Sequence, residues 1–217
     1  MASITAPNLP LAERLKSATM ALHRRVERGA FMSRLLGGQI EPAGYLALLH
    51  NLRAVYDALE AALVGQSANP DIAPVVLPEL FRCGALDQDI RALMGTRAGV
   101  RSALQPAAVQ YVARLHALEQ SAPLLLVAHA YVRYLGDLNG GQALGRVVAR
   151  GLGLEPGSGT SFYDFGDDAR RRQLIGRFRD GLARVAERSP DGDAIVAEAV
   201  GAFERHEALF EQLAAAT

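Results

Sequence analysis

The sequence predicts an all-α fold on three observations. Apolar residues recur at helical spacing through nearly the whole chain, proline and glycine cluster between those stretches, and no alternating apolar/polar run long enough for a strand competes. The first helix is read from Leu11, Leu15, Leu22 and Val26, spaced at multiples of about 3.6 residues. A second opens at Glu41-Pro42 and continues through Tyr45, Leu48, Leu52, Val55, Leu59 and Leu63. Residues 65–78 hold Asn69-Pro70 and Pro74, which break any helix and predict a loop. Shorter helices are predicted over 87–94 and 107–120. Pro123 falls in the first turn of the next, over 125–154, where its missing N–H would be unpaired anyway. The run Glu155-Pro156-Gly157-Ser158-Gly159 is a loop on turn chemistry. Two helices close the chain, over 170–188 and 189–216. The last opens with Ser189-Pro190-Asp191 as N-cap, first-turn proline and an acidic residue suited to the helix dipole.

With 217 residues, half of them hydrophobic, the chain can bury one sizeable core. No repeat or linker divides it, so a single domain over 1–217 is expected, with residues 1–9 a flexible N-terminus. The 23 basic and 23 acidic side chains cancel, which removes the charge argument for nucleic-acid binding or a polybasic membrane anchor. A small molecule is the expected ligand. Cys83 is the only cysteine, so a disulfide framework, a paired-cysteine zinc site and covalent cofactor attachment through two cysteines are all excluded. The first fifteen residues lack the apolar core of a secretory signal, and no apolar run approaches the roughly twenty residues a membrane span needs. A soluble, cytoplasmic monomer is expected.

The most informative segment is Ala128 to Gln142, AHAYVRYLGDLNGGQ. Each glycine in a helix interior costs roughly 1 kcal/mol relative to alanine. Gly136, Gly140 and Gly141 therefore need a compensating role. Gly136 and Gly140 are one turn apart on one face, where the missing Cβ atoms let a flat, bulky group reach the backbone. A seam for close helix packing fits the same spacing equally well. Asp137 between them favours a polar site.

This segment closely resembles the signature of the heme oxygenases, whose distal helix bends at its glycines over one heme face. His23-Arg24-Arg25-Val26-Glu27, followed by Phe31-Met32, resembles the proximal-helix motif of that family. Further agreement lies in Val55-Tyr56-Asp57-Ala58-Leu59-Glu60, in Leu77-Pro78-Glu79-Leu80 with Leu86-Asp87-Gln88-Asp89, and in Leu209-Phe210-Glu211-Gln212-Leu213. The resemblance runs in order along nearly the whole chain. It implies a single helical domain with heme b, both cofactor and substrate, between a proximal and a bent distal helix.

The same resemblance implies roles for particular residues. His23 is the axial iron ligand, with Glu27 one turn on to fix its tautomer; without the resemblance, a histidine with a glutamate at i+4 is common surface decoration. Asp137 organises protons on the oxygen side, Gly136, Gly140 and Gly141 line that face, and Tyr56 and Arg133 extend the network, with Asn139 a weaker match. Lys16, Tyr131 and Arg172 match positions that anchor the propionates. One turn after Arg172, where relatives carry an arginine, this chain has Gly176. Arg177 next to it is a substitute rotated by about 100°. On spacing alone, the arginines of this stretch read as a solvated helix face. Met32, Phe162 and Phe203 are the expected apolar lining. His129 reads as core, and His50, His116 and His206 as structural or solvated.

The implied reaction takes heme and dioxygen to biliverdin, ferrous iron and carbon monoxide. Electrons come from a ferredoxin, flavodoxin or reductase, because no dinucleotide or flavin fingerprint is present. The alternative on the same fold is a heme carrier or sensor without turnover. A di-iron carboxylate bundle would need Glu-x-x-His pairs, and the sequence contains none.

Overall fold

The computed structural model describes residues 9–95, 103–155, 157–189 and 192–216, and all regular structure among them is helical. The first eight residues and Pro190-Asp191 of the expected last cap lie outside the described residues, as does Pro156. In chain order the helices are α1 (Leu11–Glu27), α2 (Ala30–Leu36), α3 (Pro42–Gly65), α4 (Cys83–Met94), α5 (Pro106–Ser121), α6 (Leu126–Ala130), α7 (Gly136–Leu152), α8 (Asp168–Arg188) and α9 (Gly192–Ala216). Among the described residues, no helix is long and apolar enough to cross a membrane.

α3 is the axis of the core. Its apolar residues from Tyr45 to Leu63 are buried on several faces, and α4 and α5 pack against it. α9 runs along α1 and also meets α2, α5 and α6. This arrangement leaves α1, α2 and α9 on one side of a cleft and the chain from residue 131 to 152 on the other.

Three departures from the sequence expectation have physical causes. The predicted helix over 125–154 starts as a 3-10 turn at Pro123–Leu125 and widens into a π turn at Tyr131–Leu135 before α7 begins. The irregularity therefore precedes the glycines, which sit in regular helix. A π turn inserts one residue into the helical register and has no compositional marker of its own. α2 is a separate helix of seven residues, too short to show a period. α4 starts at Cys83, four residues before the apolar pattern becomes evident, because a distant side chain caps it. Glu60 of α3 accepts the N–H of Arg82 at 2.5 Å and of Cys83 at 3.3 Å. α7 ends at Leu152, two residues short of the predicted 154, because Gly153 takes the left-handed region at φ 63° and closes the helix.

Candidate functional site

The cleft holds a cavity of about 180 Å³ and opens to solvent along one side. α1 brings His23 to one wall. Its side chain is 52% exposed, and Nδ1 lies 3.4 Å from Glu27 Oε2, one turn on. That contact leaves Nε2 as the nitrogen able to bind a metal from the cleft. Phe203 of α9 packs edge-on against the imidazole at 6.0 Å. Val26, Met32, Leu35 and Leu52 continue the apolar wall.

α7 forms the opposite wall, and its glycines divide between two faces. A Cβ added at Gly136 or Gly140 would meet nothing within 4 Å, so these two present bare backbone to the cleft. Gly141 also borders the cleft, but a Cβ there would lie 3.5 Å from Tyr163, and one at Gly145 would lie 3.0 Å from it. Tyr163 thus occupies a notch cut by Gly141 and Gly145. The ligand face and the packing seam, which spacing alone left as alternatives, both exist on different sides of one helix.

Tyr163 and its neighbour Phe162 are held in place by Asp89 of α4. This fully buried carboxylate accepts the N–H groups of Ser161 and Phe162, each at 2.7 Å. Phe162 in turn sets its edge against Tyr56, ring centroids 5.6 Å apart.

Asp137 sits beneath the open glycine face and is 9% exposed. The Tyr56 hydroxyl donates to its Oδ2, and Arg133 Nη2 donates to its Oδ1 at 3.2 Å. The same guanidinium donates through Nε to Tyr56 Oη and through Nη1 to His206 Nε2, both at 2.9 Å. Burial pushes the Asp137 carboxyl above its ordinary range, against the opposing pull of Arg133 and the Tyr56 hydrogen bond. A carboxylate held this way can accept a proton more readily than a solvated one.

His206 was unmarked in the sequence, yet it lines the cleft and fixes one arm of Arg133. Its Nε2 must accept from a guanidinium that always donates, so the proton resides on Nδ1. Burial, with Arg133 and His129 nearby, holds its pKa well below the ordinary value and keeps the ring neutral. The available signal was its spacing on α9, with Phe203 three residues before and Phe210 four after. Asn139 turns away from the network and donates to Leu135 O at 2.7 Å.

The structure gathers His23, Glu27, Met32, Arg133, Gly136, Asp137, Gly140, Gly141, Phe162 and Phe203 around the one cleft. Tyr56 reaches it through Asp137. The four residues expected at the polar edge are not among the lining residues. Lys16 and Arg172 are exposed, and Tyr131 is half-buried beside the Thr19 hydroxyl. Arg177 is engaged by Glu79 at 2.5 Å, so it does not stand in for the arginine that Gly176 replaces.

A second buried polar group braces the wall behind Arg133. His129, assigned to the core from sequence, is fully buried between Tyr111 Oη and Glu198 Oε1, each at 3.0 Å. Burial tends to raise the Glu198 carboxyl, but hydrogen bonds from His129 and Arg114 outweigh it and bring the pKa from its ordinary 4.5 down to about 2. A depressed carboxylate pKa contributes stability that is complete above pH 4.5 and disappears as pH falls through about 2. Glu198→Gln is therefore expected to cost on the order of 2 kcal/mol at neutral pH, discounted for solvent at Arg114. The difference from wild type should close over that acid window, as read by denaturant unfolding at a series of pH values.

The cleft fits a flat, metal-bearing ligand such as heme. It offers one imidazole nitrogen on one wall, bare backbone on the other and apolar side chains between them.

Comparisons with known proteins agree with this geometry. Residues 9–212 match the family model described as Heme oxygenase. The chain is 34% identical to heme oxygenase 1 of Nostoc sp. over 203 residues, covering 94% of this chain and 85% of the relative. It is 36% identical to human heme oxygenase 1 over 205 residues, covering 94% and 71%. Among solved structures, it is similar to heme oxygenase-1 from Synechocystis sp. in complex with heme, with TM-score 0.85, 32% identity and coverage of 94% and 92%. Heme oxygenase-2 from Synechocystis sp. in complex with heme and NO is likewise similar, with TM-score 0.89, 36% identity and coverage of 94% and 85%.

Proposed function

This chain belongs to the heme oxygenase family and is an enzyme of that family, and from this premise we propose that it binds heme between α1 and α7 and cleaves it to biliverdin, ferrous iron and carbon monoxide. Dioxygen is the co-substrate, and electrons arrive from an external ferredoxin, flavodoxin or reductase. The observation that carries this reading is the opposition, across one cleft, of His23 and the bare Gly136/Gly140 backbone with Asp137 beneath it.

When bound, heme supplies both the iron at which dioxygen is activated and the ring that is oxidised. The residues of the chain do the rest. His23 would hold the iron, and Glu27 beside its Nδ1 would fix the imidazole tautomer. Gly136 and Gly140 leave room for small ligands and ordered water against the helix backbone. Asp137 holds and hands on protons there, and Arg133 and Tyr56 keep its carboxylate in one orientation. The apolar wall from Met32 to Phe203 excludes bulk water from the reacting ring.

The test is to mix the pure protein with hemin, add a ferredoxin reducing system in air, follow the Soret band and identify the bilin chromatographically. Loss of the band with biliverdin formation supports the reading. A band that persists under reduction and air would make the protein a heme carrier or sensor.

The isomer formed reports on the open edge. With glycine at position 176 and Arg177 committed to Glu79, Lys16 and Arg172 are left to hold the propionates, and the α isomer is expected. Lys16→Ala and Arg172→Ala should each broaden a single product into a mixture. An unchanged single isomer in both variants would show that these side chains do not set the rotation of the ring.

A further inference from the structure

α8 touches both walls of the cleft. It packs against α1, the helix that carries His23. In its first turns, Arg171 reaches the opposite wall and donates through Nη1 to the main-chain carbonyl of Leu138 at 3.2 Å. Leu138 lies midway between Gly136 and Gly140, the two residues whose bare backbone faces the cleft. A single guanidinium therefore ties the glycine stretch of α7 to the helix that backs the His23 wall. On spacing alone, Arg171 belonged to a solvated arginine face; the fold gives it a specific acceptor.

The glycine stretch has reason to need such a tie. Glycine leaves the backbone more freedom than any other residue, and on the cleft side Gly136 and Gly140 offer no side chain to pack. Tyr163, seated against Gly141 and Gly145, locates α7 on its other face. A carbonyl oxygen has two lone pairs, so that of Leu138 can serve the helical ladder and Arg171 together. Carbonyls drawn outward on one side lengthen the ladder there and curve the helix, so this bond helps to set the curvature of α7 at its glycines. The anchoring end is firm. Asp167 caps α8 by accepting the N–H of Arg170 at 2.7 Å, and Asp168 Oδ1 accepts Nη2 of Arg171 at 2.8 Å. Arg171 keeps this pose although its Nε is buried without a partner among the described residues. Turning outward would hydrate Nε but release Leu138.

We infer that Arg171 is a positioning residue for the proposed heme cleavage. By holding the Leu138 carbonyl to α8, it fixes the height of the Gly136 and Gly140 backbone over the heme, and with it the ring edge that oxygen meets. Arg171 does not line the cleft, so it acts through α7. The inference rests on the proposed reading of that cleft.

The test pairs Arg171→Ala with Asp168→Asn. Asp168 is 61% exposed and its ion pair with Arg171 is of the weak surface kind, so the second variant removes the pair and leaves the bond to Leu138. In the heme-free protein, hydrogen exchange read by mass spectrometry should quicken about tenfold over residues 136–142 in Arg171→Ala, with α3 and α9 unchanged. Asp168→Asn should match wild type. With hemin and a ferredoxin reducing system, Arg171→Ala should form a second biliverdin isomer beside the wild-type product while keeping the axial-imidazole spectrum. Arg171→Lys retains one donor on a long stem and should lie between the two on both readouts. Wild-type exchange over 136–142, an equal rise in α3 and α9, or an unaltered isomer in Arg171→Ala would each overturn the assignment. The same exchange change in Asp168→Asn would also overturn it, since the ion pair would then be responsible. A wild type that forms no bilin sinks the proposed function and the catalytic half of this inference with it, while the exchange result still reports on the tie itself.

Discussion

His23→Ala is expected to abolish the axial imidazole signature in the ferric spectrum of the heme complex and to weaken heme binding by at least about tenfold, equivalent to about 1.4 kcal/mol. The reason is geometric. On the α1 side, His23 is the cleft-lining imidazole, and its Nδ1 is already occupied by Glu27 at 3.4 Å. Among the described residues, the other histidine lining the cleft, His206, presents Nε2 to Arg133 and cannot offer that nitrogen to a metal. Added imidazole should restore part of the spectrum, because truncation to alanine leaves a space of the right shape beside Phe203. Glu27→Gln should be milder and shift the spectrum without losing the ligand, since it removes the charge on the Nδ1 side alone. An unchanged spectrum in His23→Ala would mean that the ligand lies on another helix. His129 is a poor candidate, because both of its ring nitrogens are engaged by Tyr111 and Glu198.

The contrast between these histidines also shows where sequence reading succeeds. α1, α8 and α9 were legible because each buries one long face, and a buried face imposes a period on its residues; α3, buried on several faces, was legible from its long run of apolar residues at helical spacing. Gly136, Gly140 and Asp137 were legible because glycine inside a helix is costly and draws attention to the face it leaves bare. What escaped detection depends on partners far away in the chain. The start of α4 is fixed by Glu60, some twenty residues upstream, and Tyr163 is seated by Asp89 and by the notch at Gly141 and Gly145. Neither relation leaves a local pattern. His206 looked like an ordinary helix residue because its role exists only once α9 meets the π turn and Arg133 turns toward it. The bend was expected at the glycines, and the π turn just before them went unseen because a widened turn changes hydrogen bonding without requiring a particular residue type.

Asp137→Asn is expected to separate binding from chemistry more sharply than any other substitution here. Asparagine keeps the size of the side chain, so the bare faces of Gly136 and Gly140 and the His23 wall should be undisturbed, and heme affinity should remain close to wild type. The proton-handling capacity is lost. Tyr56 Oη and Arg133 Nη2 both donate to Asp137, and an amide has only one oxygen with which to receive them. One donor must then turn away or confront the amide N–H₂. The variant consequently loses both the negative charge that draws a proton to this wall and the fixed geometry that aims it. General acid–base groups of this kind contribute roughly 10²- to 10⁴-fold, so biliverdin formation should fall about a hundredfold or more at matched heme occupancy. Electron uptake and oxygen consumption should continue, now released as peroxide instead of appearing in the ring. Asp137→Ala should behave similarly and, having more room for water, should regain some activity with added formate or acetate, which replaces the missing carboxylate. Normal biliverdin rates in both variants would remove Asp137 from the proton path and leave Gly136 and Gly140 with no purpose beyond admitting the ring.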